Sequence, residues 1–374
     1  MPTVLHVITG LDTGGAETAL FRLIDGAASS PYRHMVVTLT PGGAMLPAFL
    51  QAGVDVTEID LRRHPVSGFI RLVRMVRASR PDIVQTWMYH ADLVGGLAAR
   101  LSGNRNVIWG IRTTGIAHGS RATAVVRRLC AWLSGWVPHT IVCVADASRQ
   151  AHVDKGYDGK RMVVVHNGFN LSSAVGKAQR DTLRAEWGFD ERHVVVGNLG
   201  RFDRDKDQEN FVRAAGMLAP AYPQLRFLLI GHRSEHERAQ LDAWITRTGH
   251  AARFTLLRGR SDAGDCLAAM DVFCLSSRNE GFPNVVGEAM AAGVPCVVTD
   301  VGDTAILVGD TGIVVPKEDA AALAAGLEQV LRMAPDERRR LGLRASERVH
   351  ERFTVAHALE RFEFLYGRVM EGGT

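Results

Sequence analysis

The chain has 374 residues, 46% of them hydrophobic and 22% charged, with a formal net charge of +4. Such values exclude a disordered chain, a collagen and a coiled coil, and the length calls for two domains or one large barrel. The charge is uneven: residues 61–145 hold twelve Arg against only Asp82 and Asp92, a net +10 that leaves −6 for the rest of the chain.

Short apolar runs rich in β-branched residues recur in chain order at 4–9, 35–40, 54–59, 82–86, 107–111, 140–144 and 162–165. A second series follows at 194–200, 226–231, 254–257, 272–275, 296–299 and 313–315. Most are continuously apolar rather than alternating, which predicts strands buried on both faces. Helical spacing appears between them. Residues 17–27 put Ala19, Leu20, Leu23 and Ile24 on one face, and 319–333 and 344–370 also read as helices. The alternation predicts parallel sheets flanked by helices. The first run lacks a basic leader and is cut off at Asp12, so it reads as a strand rather than a signal peptide. No run of 18 apolar residues occurs, which predicts no membrane span.

A polar stretch at 171–192 separates the two series. The expected organisation is an N-terminal Rossmann-like domain at 1–172, a linker at 173–189 and a C-terminal Rossmann-like domain at 190–351. A last helix at 352–374 is expected to pack back on the first domain. An eight-strand barrel fits this pattern poorly. The five Cys, at 130, 143, 266, 274 and 296, form no C-x-x-C pair and have apolar neighbours. They read as reduced core thiols of a cytoplasmic protein.

The most informative segment runs from Ser277 to Cys296: a strand, then a loop with Glu280, Gly281, Phe282 and Pro283, then a helix starting near Asn284, its expected N-cap. In open parallel sheets, ligands bind beyond the carboxyl ends of strands, and a helix N-terminus there suits a phosphate. Glu280 on the loop and Glu288 one turn into the helix would face one crevice and accept hydrogen bonds from sugar hydroxyls. Spacing alone reads equally well as a loop charge and a solvated helix residue. Arg201 and Lys206, just past another strand, could place two cations near a phosphate-bearing ligand, and with Asp203, Asp205 and Asp207 interleaved they also read as a solvated charged loop. Among them, Asp203-Arg204-Asp205 spells a D-x-D metal signature, but in a loop already supplied with cations a divalent ion is not required. No complete G-x-G-x-x-G occurs, so a dinucleotide site is poorly supported.

Together these segments resemble the family 4 (group 1) retaining glycosyltransferases, enzymes of the GT-B fold with two Rossmann-like domains facing a central cleft. Glu280 and Glu288 match the family's E-x7-E motif. Gly14-Gly15 resembles its N-terminal glycine loop, and the run from Gly200 to Lys206 its G-R-x-x-x-x-K segment. His166-Asn167-Gly168-Phe169-Asn170 is similar to the turn that closes the first domain, with Asn170 where Asp is usual. Gly309–Pro316 resembles a late G-x-x-G-x-x-V-P strand. The resemblance implies a UDP- or GDP-sugar donor, no metal ion and no other cofactor. It implies catalytic roles for Glu280, His90, Arg201 and Lys206. Donor contacts would come from Gly14, Gly15, Arg201, Lys206, Glu280, Gly281, Phe282, Asn284, Val285 and Glu288. The acceptor would be a sugar or lipid-linked glycan in exopolysaccharide or cell-envelope synthesis, and nucleic acid is not an expected partner. Arg112 is a further candidate acceptor or phosphate contact, and the loop Arg258-Gly259-Arg260 a candidate contact for the base. A nucleotide-sugar epimerase, a phosphorylase and a non-catalytic sugar-binding module are the alternatives.

The basic stretch carries two amphipathic patterns. Phe69, Leu72, Val73 and Val76 form one stripe, with Arg71, Arg74 and Arg77 off it. Ala122, Val125, Val126, Leu129, Trp132, Leu133 and Trp136 form another, flanked by Arg121 and Arg128. Each also fits an ordinary helix packed on its sheet. In an acceptor domain, they predict peripheral attachment to an anionic membrane at its cytoplasmic face.

Overall fold

The computed structural model describes residues 1–115, 120–170, 176–260 and 262–372. The chain divides into two compact units, Met1–Gly168 with Val355–Thr374, and Phe169–Thr354.

The first unit is built on seven parallel strands: β1 (Thr3–Ile8), β2 (Arg33–Thr38), β3 (Asp55–Glu58), β4 (Ile83–Trp87), β5 (Val107–Ile111), β6 (Thr140–Cys143) and β7 (Met162–Val164). Their order is β3-β2-β1-β4-β5-β6-β7. Every residue of β4, β5 and β6 is buried, as the unbroken apolar runs require. One face of the sheet is covered by helices Pro65–Ser79, Tyr89–Leu101 and Arg121–Leu133, which contribute Leu72, Val76, Ala98, Cys130 and Leu133 to the core. The other face is covered by helices Gly15–Asp25 and Val355–Glu371, through Leu20, Leu23, Leu359, Phe362 and Tyr366.

The second unit carries six parallel strands: β8 (Val194–Leu199), β9 (Leu225–His232), β10 (Phe254–Arg258), β11 (Val272–Leu275), β12 (Cys296–Thr299) and β13 (Gly312–Val315). Their order, β10-β9-β8-β11-β12-β13, repeats the doubly wound pattern of the first unit. In each sheet the winding reverses once, between β1 and β4 and between β8 and β11. Crevices at the carboxyl ends form there. All five Cys are buried free thiols. Among the described residues, no helix is long and apolar enough to cross a membrane.

Three expectations need correction. The stretch expected as a linker contains the helix Lys177–Glu186, with residues 171–175 outside the described set. It is very polar because ion pairs, rather than an apolar stripe, dock it. Arg180 and Arg184 lie 2.7 and 2.9 Å from the two carboxylate oxygens of Asp271, and only Leu183 and Arg184 are buried. The helix expected over 344–370 is two helices, Pro335–Arg352 and Val355–Glu371. Pro335 opens the first at N1, where its missing N–H costs nothing. At the break, Thr354 bridges to Phe169 instead of continuing the turn. Finally, the apolar face read over 122–136 is split. Cys130 and Leu133 point into the core, while Val125, Leu129, Trp132 and Trp136 are exposed.

Candidate active site

The reversal point of the second sheet brings two loops together. After β8, the chain runs through Gly200 and Arg201 into a single helical turn, Arg204–Lys206, capped by the Asp203 side chain. After β11 it runs from Ser276 to Pro283 and into the helix Asn284–Ala291. Lys206 Nζ lies 2.6 Å from Glu280 Oε1, and Ser277 Oγ donates to the same oxygen at 2.7 Å. The side chains of Lys206 and Glu280 are only 24% and 12% exposed. Screening is therefore weaker than for a surface pair, and the attraction correspondingly larger. An ammonium carries three N–H donors, and among the described residues Glu280 takes one of them.

The loops are fixed from below. Buried Asn198 on β8 donates to the Cys274 carbonyl at 3.0 Å, and Ser276 Oγ donates to the Lys206 carbonyl at 2.9 Å. Arg278 clamps Asp207, its Nη2 donating to Oδ1 at 2.8 Å with Nε 2.7 Å from Oδ2, while its backbone N–H donates to the Asp205 carbonyl at 2.7 Å. The Asp203 side chain thus caps the turn through the Asp205 N–H, and the Asp205 carbonyl joins it to the Arg278 loop. Arg201 is exposed and makes no ion pair among the described residues.

Asn284 proves to be the first helical residue. Pro283 holds the N-cap position, with no side-chain cap, because its extended φ and ψ already suit that position. Along this helix Asn284, Val285 and Glu288 are half-exposed, whereas Val286, Gly287, Ala289 and Met290 are buried. Residues 284 and 288 therefore stand one turn apart on the outward face. Phe282 departs from expectation: its ring is buried and stacks on Phe169 at 5.9 Å and against Phe353 at 5.4 Å. Its side chain is core, so only its backbone is available to a donor.

In the first unit, Gly14 is the N-cap of helix Gly15–Asp25, with an extended backbone. His90 is the second residue of helix Tyr89–Leu101 and is half-buried. The preceding Met88 has φ 74° and ψ 159°, a region almost reserved for Gly, and is held there by a 2.9 Å bond from its N–H to the Gly110 carbonyl. Strain of this kind, of order 1–3 kcal/mol, concentrates at functional sites. Arg112 does not present a free cation. Its guanidinium donates to Asn167 Oδ1 and lies 5.0 Å above the Trp87 ring, and burial pushes it down to about 10.

Beneath this junction Asp92 is fully buried. Its Oδ1 accepts from Thr86 Oγ1 at 2.5 Å and from the Gly110 N–H at 3.1 Å. Desolvation outweighs these two bonds and pushes the carboxyl up to about 8. The folded state thus binds a proton that the unfolded chain has lost. Stability should fall as pH rises from about 4 towards 8, by up to about 1.4 kcal/mol per unit from this group. Asp92→Asn removes that slope. Urea melts at pH 5 and pH 8 should show the variant gaining on the wild type at the higher pH, and parallel curves would contradict the assignment. A second buried network joins Trp87 Nε1, His6 and His34, with the two imidazole nitrogens 2.9 Å apart. Burial lowers His34 to about 4 and His6 well below its ordinary value, so both rings are neutral.

Several parts of this arrangement carried little signal in the sequence. Ser277 is one of two adjacent serines, Arg278 and Asp207 are 71 positions apart, and the Met88 conformation has no sequence mark. Asn198 alone stands out, as a polar residue inside an apolar strand.

The model for "Glycosyl transferases group 1" matches residues 179–348, and that for "Glycosyltransferase Family 4" matches residues 13–173. An Escherichia coli UDP-Gal:alpha-D-GlcNAc-diphosphoundecaprenol alpha-1,3-galactosyltransferase is 25% identical over 65% of this chain and 64% of its own length. A Bacillus anthracis N-acetyl-alpha-D-glucosaminyl L-malate synthase is 28% identical over 52% of this chain, and the chain spans half of that relative's length. The crystal structure of Anabaena HepE with UDP and glucose superposes with a TM-score of 0.85 at 21% identity, covering 97% of this chain and 98% of the other. That likeness establishes a GT-B fold. The consecutive family matches, the shared fold and the paired Lys206 and Glu280 at the sheet's reversal point place this chain in the family 4 (group 1) glycosyltransferases.

Proposed function

We propose that the protein is a retaining glycosyltransferase that moves a sugar from a UDP-sugar to a hydroxyl of a lipid-linked glycan, at the cytoplasmic face of a membrane. The carrying observation is the Lys206–Glu280 pair, 2.6 Å apart and backed by Ser277 at the carboxyl ends of β8 and β11. Lys206, Arg201 and the positive dipole end of the helix that starts at Asn284 neutralise the departing diphosphate, so no metal ion is needed. Glu280 and the Gly281–Phe282 backbone hold the donor sugar, and Glu288 takes the ribose hydroxyls. In front-face attack the acceptor oxygen bonds to the anomeric carbon on the side from which the diphosphate leaves. The acceptor proton passes to a departing phosphate oxygen.

Uridine is preferred over guanosine because the Escherichia coli relative is named for a UDP-sugar and HepE was solved with UDP. The relatives' names also supply the rival acceptor, a small hydroxy acid such as malate. A thermal-shift screen tests the donor: at 100 times Kd, a ligand that binds only the folded state adds about 2.7 kcal/mol. UDP-sugars should raise the melting temperature with or without EDTA. A shift from GDP-sugars alone would overturn the base assignment, and a shift lost in EDTA the metal-free one. NMR of the product should show the donor's anomeric configuration kept, and inversion would refute retention.

A further inference from the structure

The helices Pro65–Ser79 and Arg121–Leu133 flank helix Tyr89–Leu101 on one face of the first sheet. Their inward positions are spent on the core: Gly68, Leu72 and Val76 on one, Cys130 and Leu133 on the other. What they present outward is unusual for a solvated surface. Trp132 is 73% exposed, with Val125 and Leu129 before it on the same stripe, and Trp136, in the turn that follows the helix, is 54% exposed. On the neighbouring helix Val66 is 73% exposed, and Ile70 follows one turn on. Isolated exposed apolar residues need no explanation, but a clustered stripe with two indoles does.

The charges around the stripe select the occupant. Arg74 and Arg77 continue the Val66–Ile70 line along its helix, and Arg121 and Arg128 run beside the Trp stripe. All four are exposed, and none has an ion-pair partner among the described residues. The only acids between residues 61 and 145 are Asp82 and the buried Asp92. A protein partner matched to this face would need acids interleaved with apolar groups in one fixed pattern. An anionic lipid surface supplies negative charge above hydrocarbon with no pattern, and indoles and arginine stems settle at that boundary.

We infer that this face is a monotopic membrane-docking surface, in which Trp132, Trp136, Leu129 and Val125 enter the headgroup–acyl boundary of an anionic leaflet while Arg74, Arg77, Arg121 and Arg128 contact lipid phosphates. This rests on the lipid-linked acceptor reading only for its purpose: docking would hold the N-terminal unit where such an acceptor lies. It differs from attachment through the whole Arg121–Leu133 face, because Cys130 and Leu133 are committed to the core.

The test is flotation of the full chain with vesicles of phosphatidylcholine alone or mixed with phosphatidylglycerol. The wild type should float with the mixed vesicles, less so at high salt, and its Trp emission should shift to the blue. Trp132→Ser with Trp136→Ser should lower partitioning at least about tenfold. Arg74→Glu with Arg77→Glu should do likewise. Both double variants should keep the wild-type melting temperature and the wild-type rate on a water-soluble acceptor, since they alter only exposed side chains. Equal flotation of the Trp variant and the wild type would overturn the inference. So would a wild type that ignores anionic vesicles but forms a dimer that the Trp variant loses, since the face would then bind a second copy. Vesicle binding through this face with no transferase turnover would leave the docking surface standing and remove the functional reading instead.

Discussion

Lys206→Ala should lower turnover of the donor sugar at least about a thousandfold, with the fold intact. The ammonium is the cation nearest Glu280, at 2.6 Å, and removing it does two things at once. On the proposed reading it deletes the fixed positive charge that meets the departing diphosphate, and losing one preorganised donor of this kind costs about 10²–10³ in kcat. It also leaves Glu280, whose side chain is only 12% exposed, as a carboxylate deprived of its cation and repelling the same diphosphate. The second effect is testable separately. On the same reading Glu280→Gln alone removes a sugar contact, but added to Lys206→Ala it relieves the repulsion. The double variant should therefore be no worse than Lys206→Ala, a coupling far from additive. Rates come from release of nucleoside diphosphate, and melting curves guard against unfolding, since breaking a partly buried pair also costs stability. A Lys206→Ala rate within tenfold of the wild type would refute the role, and strictly additive effects would separate the two residues.

The thirteen strands were legible because a parallel sheet covered on both faces needs unbroken apolar runs, and each run in the sequence formed one. Helix boundaries were less legible where packing, not pattern, decides. The gap between Arg352 and Val355 contains neither Gly nor Pro, so the apolar period runs on while the chain turns. Lys177–Glu186 lacks an apolar stripe and so looked like a linker, because its anchor is an Asp271 that arrives from far along the chain. The charged members of the candidate site were legible only through the resemblance of their segments to a family, since spacing alone left Glu280 and Glu288 equally readable as a loop charge and a solvated helix residue. Which group each one meets was not. That Lys206 and Glu280 bond to each other, that Ser277 supports Glu280, and that Phe282 turns inward follow from loop packing, which no local spacing encodes.

That packing gives the second large effect, at a residue with no side chain. Gly302 follows β12 with φ 57°, and a Cβ there would stand 2.3 Å from the Gly281 carbonyl oxygen and 2.4 Å from that of Glu280. Asp303 N–H donates to the same Gly281 carbonyl at 2.9 Å, so the two loops are already bonded at contact distance. In Gly302→Ala the obstacles are backbone atoms, which no rotamer change can clear, so the Glu280 loop must shift by roughly an ångström or the β12 loop must open. A misplacement of that size costs about a hundredfold in rate when it falls on a positioning group. The left-handed φ itself adds about 1–2 kcal/mol for any L-residue with a Cβ. Gly249 separates the two costs. Its φ is 73° and nothing lies within 4 Å of its hypothetical Cβ, so Gly249→Ala bears only the backbone strain. Both variants should melt a few degrees below the wild type. Only Gly302→Ala should lose about a hundredfold in kcat, because only there does the added methyl push on the loop that carries Glu280. If the two variants instead lost activity in proportion to stability, the close contact behind Glu280 would be structural support alone, and the geometry of that loop would not set the rate.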